Sequence, residues 1–267
     1  MLQVIVSPAK QMRVASDSFA PRGIPPFPAK TARLVRSLRD IERAEGAEGL
    51  RELWRVNDKL LAENVERLHE FCVVSDEYQL DDPAITRLAS PAVFSYVGIQ
   101  YRSMAPEVMG VDELEWLQEH LWVLSGLYGC VRPFDAVEPY RLEMGAKLAV
   151  DGARDLYAFW EPDIARAICD GQPTTLVNLA SVEYAKAVLP HMPANSAVVT
   201  CIFGEELCAG KPVQRATASK IARGSMVRWM AEHGIEDAAD LTRFDVGYRY
   251  APELSAADGS TLVFMAD

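Results

Sequence analysis

The sequence predicts an α/β fold of the mixed α+β kind, a single compact domain over residues 1–267 in which helices surround a mixed sheet. Three observations lead there. Short apolar runs rich in Val, Ile and Leu alternate with longer segments of helical periodicity, the pattern of a sheet packed against helices. The alternation is irregular, so it does not describe a regular doubly wound sheet. No long Pro-, Gly- or Ser-rich linker divides the 267 residues, of which 49% are hydrophobic, enough for one sizeable core.

Taken in order, Leu2–Val6 is a buried strand. Over residues 29–45, Leu34, Val35, Leu38 and Ile41 recur at helical spacing with polar residues opposite, and 50–71 reads as helix with a break near Ala62. Residues 83–104 are ambiguous, because Ser90-Pro91 and Gly98 interrupt any period. Asp112 suits the N-cap of a helix over 113–120, and the strand-like run 121–124 follows. Residues 154–169 read as helix with a possible break at Pro162. Thr175–Leu179 is a strand, 182–189 a short helix and 197–203 a strand. A long helix is expected over 217–233 and a shorter one over 235–242, before closing strands at Tyr248–Tyr250 and 261–264.

Residues 124–145 stand apart. They hold three Gly, two Pro, two Tyr, two Arg, one Asp and two Glu between short apolar pieces. Gly permits close backbone approach and Pro stiffens the loop, so polar side chains project from a scaffold with few ways to move. Such a loop is a candidate wall of a site.

Composition excludes several classes. The net charge of −11 repels nucleic acid and acidic membranes as a whole, yet charge is uneven. No acidic residue falls between 209 and 231, where Lys211, Arg215, Lys220, Arg223 and Arg228 occur, and a second basic stripe comprises Lys30, Arg33, Arg36 and Arg39. Screening confines distant charge to about 8 Å, so local basic surface can still bind a polyanion. The longest stretch free of Asp, Glu, Lys and Arg, 187–204, contains two Pro, a His and an Asn and is no membrane span. The start has no basic n-region, so no signal peptide and a cytoplasmic location are expected. Five scattered Cys without C-x-x-C spacing argue against disulfides and thiolate cages. Cys130 and Cys201 read as buried small residues. The four His are isolated, and no G-x-G-x-x-G, Walker or H-E-x-x-H pattern occurs, so neither metal nor cofactor is implied.

Polar residues at strand ends remain. Ser7-Pro8-Ala9-Lys10 follows the first strand, which puts Lys10 near the carboxyl edge of the sheet. Asn178 and Ser181 follow another strand, with Tyr184 on the next turn; they either cap the helix beginning at Val182 or face a site. Lys220 and Arg223 share one helix face, which is either solvated or anion-binding. Glu143 either neutralises Arg132 or Arg141 or acts in the site.

These residues carry a resemblance. Ser7-Pro-Ala-Lys10, Leu124-Ser-Gly-Leu-Tyr-Gly129 with Arg132-Pro133-x-Asp135, Pro139-Tyr-Arg-Leu-Glu-Met-Gly145, Asp155-Leu-Tyr-x-Phe-Trp160, Asn178-Leu-Ala-Ser-x-Glu-Tyr184 and Lys220-x-Ala-Arg-Gly224 resemble, in order, the motifs of the YaaA-like bacterial family. The resemblance implies peroxide-stress resistance through a limit on unincorporated iron, an α/β fold of unusual topology, and a positively charged cleft. It also implies binding of double-stranded DNA helped by a helix-hairpin-helix element. Two departures stand out. The helix-hairpin-helix stretch falls on residues 56–71, where the turn Leu61-Ala-Glu-Asn64 has no Gly and Glu63 and Glu66 repel phosphate, so a packed helical pair competes with a DNA contact. In 90–98 only Tyr96 and Gly98 of the family pattern remain.

Two readings follow. In the first, Lys10, Arg132, Arg141, Asn178, Lys220 and Arg223 hold DNA phosphates. In the second, the same cleft is the pocket of an enzyme acting on an anionic small molecule or nucleotide, with Glu143 as acid/base and Tyr184 or Ser181 as hydrogen-bonding partner. A groove of about 12 Å or more suits nucleic acid. A closed pocket of a few hundred Å³ containing Glu143 suits a small molecule.

Overall fold

The computed structural model describes residues 1–15 and 19–267. Seven strands form the main sheet: β1 (Leu2–Val6), β2 (Leu121–Ser125), β3 (Gly129–Val131), β4 (Thr175–Leu179), β5 (Ala197–Gly204), β6 (Tyr248–Tyr250) and β7 (Thr261–Ala266). Their spatial order is β6-β7-β5-β4-β1-β2-β3. The inner five are parallel, while β3 and β6 pair antiparallel at the two edges, so the sheet is mixed. Val4, Ile5 and Val6 of β1 are fully buried, as befits a central parallel strand covered on both faces. The chain runs from β1 to β2 on one side and later returns to place β4 on the other. A crevice opens beyond the carboxyl ends where winding reverses in this way.

The helices that position the site are α1 (Pro28–Trp54), α2 (Asp58–Glu70), α3 (Ile99–Met104), α4 (Val111–His120), α5 (Leu156–Trp160), α6 (Asp163–Cys169), α7 (Val182–Ala185) and α8 (Ala216–Glu232). No helix among the described residues is long and apolar enough to cross a membrane. The α3–α8 contact is close: a Cβ on Gly224 would lie 2.0 Å from the Gln100 carbonyl oxygen, so only glycine fits. Most of the apolar side chains form one contiguous core cluster.

Several boundaries differ from the sequence reading for local reasons. The expected break at Ala62 is absent, because α2 is continuous; the chain turns at Arg55–Asn57 instead. Arg55 is left-handed (φ 51°), and the Asn57 side chain accepts from the Leu60 amide at 3.0 Å, an N-cap signal present in the sequence. Residues 56–71 are thus one helix of a packed pair, tied to α1 where Arg39 donates to the carbonyls of Leu68 and Phe71 at 2.9 and 2.8 Å. Gly46 (φ 68°) kinks α1 where the first expected helix ends. Gly110, not Asp112, is the N-cap of α4, with Glu113 reaching back to its amide. Pro162 does separate α5 from α6. Residues 235–242 hold a 3₁₀ helix, Ala238–Arg243, in place of an α-helix. The hairpin Glu206–Cys208 with Lys211–Val213 turns through left-handed Ala209 and Gly210.

Two predictions follow from this packing. Gly224→Ala inserts a methyl where backbone stands, so it should cost roughly 1–3 kcal/mol and lower the melting temperature by several degrees. Thermal denaturation checks it. The second concerns Glu138, a buried carboxyl that accepts from the Cys72 amide at 3.1 Å. Burial pushes it up to about 7 from 4.5. The folded state therefore holds a proton that the unfolded chain releases, and this contribution to stability, complete below pH 4.5, is lost as pH rises to about 7. Glu138→Gln should flatten the fall in melting temperature across that window; an unchanged profile would refute the assignment.

Candidate functional site

A cavity of about 530 Å³ opens beyond the carboxyl ends of β1 and β4. One wall is helical, with Arg102 from α3 and Lys220 and Arg223 from α8. The other is built from loops and α7, with Lys10, Arg141, Glu143 and Tyr184. The lining holds five cationic side chains (Lys10, Arg102, Arg141, Lys220, Arg223) and two carboxylates (Glu143, Glu183) in a protein of net charge −11.

The floor is organised by Ser7, the residue after β1. Its carbonyl accepts from the Tyr101 hydroxyl at 3.0 Å and from Gln100 Nε2 at 3.3 Å, which fixes α3. Its Oγ accepts from the Ser181 amide at 2.8 Å and donates to the Ser181 hydroxyl at 3.1 Å, which fixes the start of α7. Ser181 is therefore at the N-cap position without capping through its side chain. Asn178 is drawn into the sheet, accepting from the Ala180 amide and donating to the Thr200 hydroxyl on β5. Neither residue performs the side-chain capping of α7 that the sequence allowed.

The segment 124–145, expected as a loop, begins as the β2–β3 hairpin and then runs back to deliver Glu143 by close backbone approach. A Cβ on Gly126 would lie 2.5 Å from the Leu142 carbonyl oxygen, so the return strand of the loop crosses directly over this glycine. Gly129 (φ 77°) lies against the Trp160 ring, whose Nε1 donates to the Gly126 carbonyl at 3.0 Å. Ser125 Oγ meets the Tyr140 hydroxyl at 2.6 Å, and the Glu183 carboxylate accepts from the Gly145 amide at 2.8 Å. Glu143 thus has fixed anchors on both sides. Its two oxygens meet Lys10 Nζ at 2.8 Å and Arg141 Nη2 at 2.7 Å, while Arg141 also donates to the Lys10 carbonyl. Lys10, Arg141, Glu143, Ser181, Tyr184, Lys220 and Arg223 all line the one cavity. Burial holds the Tyr184 phenol well above its usual range, so it stays neutral.

Arg132 and Asn178 do not line it. The Arg132 guanidinium covers the Trp122 ring at 3.9 Å and donates to the Glu119 carbonyl, while its amide donates to Asp135. Its motif is a self-closing turn, and a cation over an aromatic face is a packing contact. The stripe Lys30, Arg33, Arg36 and Arg39 is also largely engaged. Lys30 pairs with Asp163, Arg33 with Asp151, and Arg39 caps α2. In the basic run 209–231 Arg215 pairs with Glu206 and Arg228 with Glu232. Lys220 and Arg223 have no ion pair or side-chain hydrogen bond among the described residues, and nor does Arg102. Burial lowers the Arg223 guanidinium from its usual value, against an opposing effect from Cys201.

Sequence reading missed Arg102, Gln100, Tyr101 and Tyr140. The first three lie on a six-residue helix inside the segment that Pro91 and Gly98 made ambiguous. The one usable signal was Gly98, which begins that helix and packs on Ala9 of the Ser7–Lys10 turn. Cys130 and Cys201 are buried as expected, and burial raises both thiols. Among the described residues no three His, Cys, Asp or Glu side chains gather to hold a metal ion.

Comparison with known proteins agrees with the motifs. The sequence model described as peroxide stress protein YaaA matches residues 2–254. A UPF0246 protein of Desulfitobacterium hafniense is 40% identical over 265 residues, covering 99% of this chain and 98% of its own. A UPF0246 protein of Limosilactobacillus fermentum is 41% identical over 268 residues, covering 100% of both chains. One from Pediococcus pentosaceus is 40% identical over 258 residues, or 96% of each. With a family match across nearly its whole length, the chain belongs to the peroxide stress protein YaaA family.

Proposed function

We propose that this chain acts in the cytoplasm in resistance to peroxide, by restraining unincorporated iron, and that the cleft beyond β1 is its working site, where it binds the phosphates of double-stranded DNA. The observation that carries the reading is the trio Arg102, Lys220 and Arg223, which converge on one wall without carboxylate partners among the described residues. In a protein of net charge −11, where many other cations are paired, unpaired cations at a cavity favour an anionic ligand. Arg102 and Lys220 are exposed, so they can reach a backbone that passes across the mouth. The α1–α2 pair is left out of this contact. Its turn has no Gly, and the adjacent Arg51 is already paired with Glu48 and Asp58.

A second reading, an enzyme pocket for an anionic small molecule, is favoured by Glu143. A site meant only for phosphates has no use for a carboxylate that ties up Lys10 and Arg141, whereas a carboxylate suits acid/base or hydrogen-bonding work on an organic molecule. Ser181 and Tyr184 line the same space.

Fluorescence anisotropy with duplex DNA at graded salt separates these. Two phosphates neutralised by the exposed Arg102 and Lys220 give a log–log slope of about −1.8, and Lys220→Ala with Arg223→Ala should reduce it to about −0.9. No binding at about 50 mM salt, or a slope that the double variant leaves unchanged, overturns the DNA reading.

A further inference from the structure

We infer that the cavity behind the mouth takes a single nucleoside 5′-phosphate unit, with its phosphate on the helical wall of Arg102, Lys220 and Arg223 and its nucleoside against Glu143 and Tyr184. The inference rests on the reading that the cleft binds phosphate, and it adds what lies behind the phosphate.

Size sets the first limit. A volume of 530 Å³ is about 10 Å across as a sphere, within the range of small-molecule pockets. A duplex is wider than its own major groove of about 12 Å and so cannot enter, whereas a single nucleotide unit is small enough to fit. The cavity therefore exceeds what a phosphate needs and excludes what a double helix needs.

Charge sets the orientation. The α3–α8 wall carries the three cations without a carboxylate partner among the described residues, and the close contact at Gly224 holds the two helices together so that the cations keep their spacing. On the opposite wall Glu143 and Glu183 offset Lys10 and Arg141, so a phosphate is drawn to the helical wall, where the positive charge is not offset. Glu143 is held by Lys10 and Arg141, with one oxygen to each. A carboxylate offers about four lone-pair sites, so acceptor capacity remains for an amino group, a ring N–H or a ribose hydroxyl. Tyr184 stays neutral and can donate as well as accept. Anion-binding and donor-reading walls on one cavity match a ligand that is anionic at one end and rich in hydrogen-bond donors at the other.

Two sources supply this chemistry, a free mononucleotide and an unpaired nucleotide at the end of DNA. Isothermal titration calorimetry on the full chain, with each common ribo- and deoxyribonucleoside 5′-monophosphate and with inorganic phosphate, provides the test. At least one nucleotide should bind tenfold or more tighter than inorganic phosphate. Arg223→Gln should weaken both ligands at least tenfold. Glu143→Gln should weaken the nucleotide about tenfold and leave phosphate within twofold, and Tyr184→Phe, which keeps the ring and removes the hydroxyl, should weaken only the nucleotide. A duplex with a 5′-phosphorylated single-nucleotide overhang competes if DNA is the source and fails to compete if the free nucleotide is. Nucleotides that bind no tighter than phosphate, or a Glu143→Gln variant of unaltered melting temperature that weakens both ligands equally, overturn the inference. Blunt duplex binding that persists in that case leaves the DNA reading standing. Loss of duplex, nucleotide and phosphate binding alike removes the phosphate reading itself.

Discussion

The cleft depends on what happens to the chain as it leaves β1. Ser7 is the first residue past the strand, and its carbonyl and hydroxyl together take hydrogen bonds from Gln100, Tyr101 and Ser181. One residue thus sets α3 on one side and the entry to α7 on the other. Its position is not adjustable, because β1 is pinned in register between β2 and β4, Val6 lying opposite Val123 and Leu179. A central parallel strand tolerates no slip, since a one-residue shift would turn every buried side chain to the opposite face. The precision of the sheet is therefore transmitted to the cleft through a partly buried serine.

Close backbone approach does the rest. Gly126 beneath Leu142 and Gly224 against Gln100 lie where the loop wall and the helical wall are each fastened. A side chain at either glycine would push the walls outward. The carboxylate between Lys10 and Arg141 then becomes a consequence of loop geometry, with Glu143 delivered by a crossing that only glycine permits. Burying an ion pair in part is costly, at several kcal/mol per fully desolvated ion, and partial exposure of Lys10 moderates that cost. Among the described residues Arg223 has no such relief from a carboxylate, which is why it points to a ligand.

Legibility in the sequence followed the length and independence of each element. The strand at 175–179 and the long helix α8 appear where periodicity placed them, because many residues contribute to each pattern. The segment 83–104 did not resolve, since it breaks into one-turn helices and two-residue strands that owe their form to neighbours far along the chain. Arg102 was hidden with it. The basic stripe from Lys30 to Arg39 was visible but misleading, because pairing with Asp151 and Asp163 depends on residues more than a hundred positions away. Arg132 misled in the same manner, as nothing near it in sequence announces the Trp122 ring.

Sequence by itself determined the mixed α/β class, the central strand at the start of the chain, and the motifs that place the chain in the peroxide stress protein YaaA family. It also marked 124–145 as a constrained segment beside a site, though much of what reads as loop is the buried β2–β3 hairpin and only its later part reaches the cleft. Tertiary structure alone decided which cations are free. Charge is a property of residues, but whether a charge is paired is a property of distances, and those distances are set by the sheet. The loop's Glu143 came to rest against Lys10 from the first strand's exit, and the unpaired Arg102 joined Lys220 and Arg223 across a glycine contact. No local pattern encodes either meeting.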